Sequence, residues 1–186
     1  MVPLSSLLVP ILLSAVIVFV ASSIIHMVLT YHRSDFRRLA KEDEVMEAIR
    51  RAGVQPGDYM APHAGSPAAM KDPGFVERLK RGPILIMTVA RGGPPSMGAQ
   101  LGMWFGYSLL VSLFAGYIAS RALGPTAYYL DVFRFVGTSA FMGYSFGLLQ
   151  NSIWYKRNWG TTLKSVFDGL VYALLTAGTF GWLWPR

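Results

Sequence analysis

Asp168 is where chemistry in this chain would begin, because it is an acid set inside a long apolar stretch, residues 161–184. Asp168, Tyr172, Thr176 and Thr179 recur at helical spacing and form a polar stripe. Such a stripe is costly against lipid, so it should face protein or water. Lys164 lies one turn earlier on the same face. Two readings follow from these types and spacings. In the first, Lys164 and Asp168 form a local ion pair whose lysine reaches up to water and holds the helix end in register. In the second, Asp168 is a proton or cation site to which Tyr172 and Thr176 add oxygens. An ion pathway should carry further buried acids on other helices, and the only acid in the other apolar stretches is Asp131, at the very end of one of them. The ion pair is therefore the reading that takes precedence. Asp131, at the far end of the adjacent stretch, is placed to pair with Arg134.

His26 is the one histidine inside an apolar stretch, with His32 just beyond it. A haem held by two histidines on facing helices is excluded within one chain, since the other apolar stretches contain none. His26 is expected to hydrogen-bond across a helix interface; contact with a quinone or a pH-sensitive role is the alternative. His63 sits in a proline-rich segment with no second histidine or cysteine at zinc spacing, so no metal ligands are assigned. The chain has no cysteine, which removes disulfides, thiolate metal sites and cysteine nucleophiles. Phe167-Asp168-Gly169 lacks the further aspartates of a metal-dependent lipid transferase, and the glycine-proline run after Arg91 lacks the Gly-Lys-Ser/Thr that holds a nucleotide. No serine–histidine–acid set is visible. No catalytic residue is assigned, the reading leans away from an enzyme, and no cofactor is specified. Met97, Met103, Trp104, Phe105 and Tyr107 could line a groove for a lipid or quinone tail, but they are ordinary lipid-facing and interface material, and that reading takes precedence.

The elements that carry these residues follow from composition. Of 186 residues, 53% are hydrophobic and only 15% charged, against about a quarter charged in an ordinary soluble domain. The apolar residues cluster into four stretches, 4–31, 97–122, 131–155 and 161–184, each longer than the roughly 18 residues that mark a membrane span. The expected fold is thus an all-α integral membrane protein with four transmembrane helices and a short helical cytoplasmic segment between the first two. Residues 1–33 form the first helix, 34–96 a cytoplasmic or interfacial segment, and 97–186 a bundle of three further helices. Small residues mark the packing faces: Gly98, Gly102 and Gly106 on the second helix, Gly143 and Gly147 on the third, and Gly169, Ala173, Ala177 and Gly181 on the fourth. The second helix, with small residues on two faces, is placed at the centre.

In the segment 34–96, acids at 42–44 and bases at 50–51 predict one short helix, and Asp72-Pro73 predicts another to about residue 81. Residues 54–70, rich in proline and glycine, are expected to be loop. The apolar run 84–89 is expected at the membrane interface, with a strand as the lesser alternative. Most of the 17 Lys and Arg lie between Arg33 and Arg91, while the segments placed outside hold only Arg121, Arg134 and Arg186. That asymmetry puts the basic segment in the cytosol and both chain ends outside, in a cell membrane taken to be a bacterial cytoplasmic one. The net charge of +7 then reads as attraction to lipid, not to nucleic acid, with Arg78, Lys80, Arg81 and Arg91 as headgroup candidates.

The function expected from the sequence is non-catalytic: a multi-pass membrane protein that packs with copies of itself or with subunits of a larger complex. The alternatives are a small ion- or proton-coupled transporter or channel using Asp168, and a lipid-acting membrane enzyme.

Overall fold

The structure, a computed structural model, describes residues 1–94 and 96–185; Pro95, in the expected glycine-proline turn, and Arg186, counted among the outer basic residues, lie outside the described residues. The chain forms two compact units, one of Met1–Phe36 with Ser96–Arg186 and one of Arg37–Pro95.

The first unit is helical. Helix α1 (Leu8–Met27) follows a 3-10 turn at Leu4–Leu7. Its Pro10 falls in the first turn, where the missing N–H would have had no partner in any case. The helix stops at Met27, short of the expected residue 31, and the chain folds into a 3-10 turn at Tyr31–Ser34. Helix α4 (Gly98–Ala122) ends as Leu123 turns extended ahead of Gly124-Pro125. Helix α5 (Tyr129–Ser145) continues through a 3-10 turn into the short α6 (Leu149–Ile153), and α7 (Trp159–Trp182) starts from Asn158, whose side chain accepts from Gly160 N at 2.8 Å.

These helices close a ring: α1 packs on α4 and α7, and α5 packs on α4 and α7. Helix α4 is therefore one side of the ring and not its centre. Val18, Val132, Val136 and Phe180 are fully buried inside it. The small residues of α7 do the close packing that their spacing implies. A Cβ at Gly169 would run into Ser145 and Tyr144, one at Gly181 would lie 2.7 Å from the Tyr129 ring, and Ala173 and Ala177 are buried. Gly143 packs on Val111, but a Cβ at Gly98, Gly102, Gly106 or Gly147 would meet nothing within 4 Å among the described residues. Hydrogen bonds tie α1 to its neighbour α4, from Ser14 to Ser112 at 3.0 Å and from Trp104 Nε1 to Ser22 at 2.8 Å. Val2 N donates to Ser120 O at 3.2 Å and Trp184 Nε1 to Gly124 O at 3.0 Å, so both ends of the unit meet at one end of the ring.

The outward faces are apolar too. On α1, Leu8, Leu12, Val16, Val20 and Ile24 recur every fourth residue and are all exposed. A helix apolar on its inner and outer faces is matched to lipid. By length and composition three helices can cross a membrane: Leu4–Met27, Gly98–Ala122 and Tyr129–Ile153. The expectation of four is thereby corrected. Helix α7 is 24 residues long, but Lys164, Asp168 and its threonines make it too polar to qualify, and that polar face is turned into the ring. The orientation with both ends outside rested on an even number of crossings and loses that support.

The second unit holds α2 (Glu42–Arg51), β1 (Gly57–Ala61), α3 (Pro73–Arg81) and β2 (Leu85–Val89). The strands pair antiparallel, with Gly57 opposite Val89 and Ala61 opposite Leu85. Gly57–Ala61 is thus a strand inside the stretch 54–70 expected to be loop, and the run 84–89 takes the strand that was the lesser alternative. Phe75 is the one buried residue among the described residues of this unit. Asp72 caps α3, accepting from Phe75 N at 2.8 Å. Asp72→Ala is expected to cost about 1 kcal/mol locally, read as faster amide exchange confined to α3; unchanged exchange would show that the cap is not formed.

Candidate functional site

The break after α1 places the turn at Tyr31–Ser34 against α7, and the site is built where they meet. Lys164 on α7 is the anchor: its Nζ donates to Tyr31 O at 2.6 Å, Ser34 Oγ at 2.8 Å and Asp35 Oδ1 at 3.0 Å. The local pair with Asp168 is therefore not what forms. Asp168, only 3% exposed, instead faces the turn. The Tyr31 hydroxyl donates to its Oδ1, and His32 Nε2 lies 2.8 Å from its Oδ2. The other ring nitrogen of His32, Nδ1, lies 2.7 Å from Asp35 Oδ2 and in line for a hydrogen bond. Nε2 is buried and close to Asp168 but off the line of a hydrogen bond, so it has no hydrogen-bonding partner.

His26, at the end of α1, brings its ring to 4.5 Å from that of His32, centroid to centroid. One donor atom each from His26, His32 and Asp168 lie within 4.8 Å of one another. Such a set of two imidazoles and a carboxylate is suited to a metal ion, where the sequence assigned no ligands. His32, Asp35 and Tyr31 are the members of this candidate site to which the sequence reading gave no role. The signal available was a histidine and an aspartate three residues apart directly after a span, which reads more simply as part of the charged flank.

The electrostatics follow from these contacts. Burial by itself would raise the pKa of Asp35, but the hydrogen bonds from His32 and Lys164 outweigh it and hold the carboxyl below its ordinary 3.8. Burial, together with the Asp168 carboxylate it bonds, pushes the Tyr31 hydroxyl well above the usual phenol range. Asp35 and Asp168 bring two negative charges and Lys164 one positive charge. With neutral histidines the cluster is one positive charge short.

His26 also lines a cavity of about 280 Å³ to which all four long helices contribute, through Trp104, Tyr107, Tyr144, Gly169 and Tyr172 among others. Trp104, Tyr144 and Tyr172 meet around it with ring centroids 5.6 to 6.3 Å apart. The hydroxyls of Tyr144 and Tyr172 are buried without hydrogen-bond partners. Of the aromatic and methionine set named from the sequence, Trp104 and Tyr107 line this cavity, Phe105 packs edge-on against Phe19, and Met97 and Met103 are exposed on the outer surface. Thr176 and Thr179 donate to carbonyls of their own helix, Tyr172 O at 2.9 Å and Leu175 O at 2.8 Å, and bring nothing to Asp168. Asp131 and Arg134 pair at 3.9 Å on the exposed surface. In the second unit, Arg78, Lys80 and Arg81 close α3 and Arg91 follows β2, all exposed; the Arg78 guanidinium lies 5.8 Å from the Phe75 ring. No family model, no curated protein and no solved structure matches the chain.

Proposed function

We propose that this is an integral membrane protein that binds a cation at the buried Asp168 centre at one end of its helical ring. The observation that carries this reading is the charge imbalance around a carboxylate only 3% exposed, faced by a tyrosine hydroxyl and a histidine and, among the described residues, by no lysine or arginine within 4 Å. A buried charge without compensation is expensive, and a bound proton or metal ion removes the deficit. The excess of basic residues between Arg33 and Arg91 supports a cytosolic side of a cell membrane for the second unit. Arg78, Lys80, Arg81 and Arg91, exposed in that unit, suit anionic headgroups.

The test is the melting of the detergent-solubilised protein across a cation panel: protons from about pH 8 to about pH 6, Na⁺, Mg²⁺ and Zn²⁺. At least one should raise the midpoint with concentration, by about 2.7 kcal/mol of stability at roughly 100 times its Kd. Asp168→Asn should abolish that response. A wild-type midpoint indifferent to every cation would sink the reading.

A second reading is favoured by one observation, the glycines of α4 at 98, 102 and 106, where an added Cβ would meet nothing within 4 Å among the described residues. A face so open to close approach suits a helix of another copy or another membrane subunit. In mild detergent the wild type should then migrate above the mass of one chain, and Gly102→Val should return it to the monomer; a wild-type monomer free of co-purifying protein would remove this reading.

A further inference from the structure

We infer that the cation is a divalent first-row transition metal of the zinc type, held by His26, His32 and Asp168. This rests on the cation-binding reading and names its ligand. The donor chemistry selects the class. Two imidazoles and one carboxylate suit zinc and its neighbours, whereas magnesium and calcium take oxygen donors.

The geometry around His32 is that of a metal ligand more than of a charged histidine clamped between two acids. A histidine so clamped would aim both ring N–H groups in line at their carboxylates. Here Nδ1 is in line with Asp35, while Nε2 lies 2.8 Å from Asp168 yet off line. A carboxylate on one ring nitrogen fixes the tautomer and turns the other nitrogen's lone pair toward a metal. Asp35 is fixed in turn by Lys164 at 3.0 Å, and Asp168 by the Tyr31 hydroxyl, so two of the three donors have a backing group.

Metal–donor distances of about 2.0–2.2 Å set tetrahedral donors roughly 3.3 Å apart. The observed donors span 2.8 Å for His32 with Asp168 and up to 4.8 Å across the set. An ion seats by parting the first pair slightly and drawing the more exposed His26 inward. Three protein donors leave at least one position for water or a small ligand. His26 is shared with the cavity of about 280 Å³, so that position has room beside it.

The experiment uses the full chain in mild detergent, free of any histidine tag and stripped with a chelator, titrated with Co²⁺ and then Zn²⁺. One Co²⁺ per chain should bind with the visible absorption of a four- or five-coordinate site, and Zn²⁺ should displace it. His26→Ala and His32→Ala should each weaken binding by at least tenfold. Asp35→Asn removes no ligand but should weaken it roughly 10- to 100-fold, as a lost backing carboxylate does. His26 is exposed, so its variant retains the fold even if the His32 variant does not, and circular dichroism checks each. Absence of the Co²⁺ signal, or binding unchanged by His26→Ala, overturns the inference. If the Asp168-dependent response to protons, Na⁺ or Mg²⁺ persists in that event, the cation-binding reading survives without the metal. If no cation acts, both fall.

Discussion

Gly169→Val is expected to unseat α7 from α5 and to lower the stability of the helical ring by about 1–3 kcal/mol or more. The added carbon atoms would enter space held by Ser145 and by the Tyr144 Cβ, 3.2 Å from where a first Cβ would sit. Ser145 is also tied to this crossing, its Oγ donating to Val166 O at 3.3 Å. The natural control is Gly102→Val, likewise in a helix interior and with nothing within 4 Å. Both changes gain the same helix propensity over glycine, so the difference between them isolates packing. Thermal melts of the two variants in a detergent that keeps the chain monomeric make the measurement. Equal midpoints would mean that α5 and α7 do not approach as closely as the structure has them. Because Gly169 is next to Asp168 and lines the cavity, Gly169→Val should also weaken cation binding, which Gly102→Val should leave alone.

The same two glycines show how far the sequence could be read. The spacing of Gly169, Ala173, Ala177 and Gly181 marks a packing face, and the structure packs it. The spacing of Gly98, Gly102 and Gly106 marks an equally good face, and among the described residues nothing packs within 4 Å of it. Small-residue periodicity states what a face permits, not what occupies it. Asp168 was legible as the residue to watch, because an acid in an apolar stretch has few innocent explanations. Its partners were not. Lys164 is its neighbour along the helix, but the turn after α1 brings Asp35 to Lys164 and Tyr31 and His32 to Asp168, across more than 100 residues of chain. Nothing local announces that the helix stops at Met27. The pairing of β1 with β2 was hidden for the same reason, since its partners lie on either side of α3. The fourth helix was misjudged in the opposite direction. Its length and its apolar residues suggest a span, but its threonines, Lys164 and Asp168 leave three qualifying helices. The polarity that disqualifies α7 is the polarity that builds the site.

Lys164→Met should have the broadest effect of any single change at the site, because it removes three hydrogen bonds and the one fixed positive charge among these contacts. Breaking a fully buried ion pair costs about 3–5 kcal/mol. Lys164 is 30% exposed and Asp35 8%, so water softens the loss to about 2–3 kcal/mol. Most of that penalty should belong to the Asp35 carboxylate left without its cation. Asp35→Asn in the Lys164→Met background should therefore recover part of it, and a double-mutant cycle should give a coupling of about 1–3 kcal/mol; two losses that simply add would show that the pair is not formed. Acid supplies an independent check whose sign is fixed. The folded-state pKa of Asp35 lies below its ordinary 3.8, so its contribution is complete above the usual carboxylate range and is lost as pH falls through the folded value. The advantage of wild type over Asp35→Asn should shrink on acidification below about pH 4, and a gap that instead widens there would contradict the hydrogen bonds assigned to this carboxylate. Since Lys164 also positions the turn that carries Tyr31 and His32, its loss should lower cation affinity together with stability. Asp168→Asn should remove the affinity while leaving the Lys164–Asp35 contact in place, and that separation is what distinguishes an anchoring residue from a ligand.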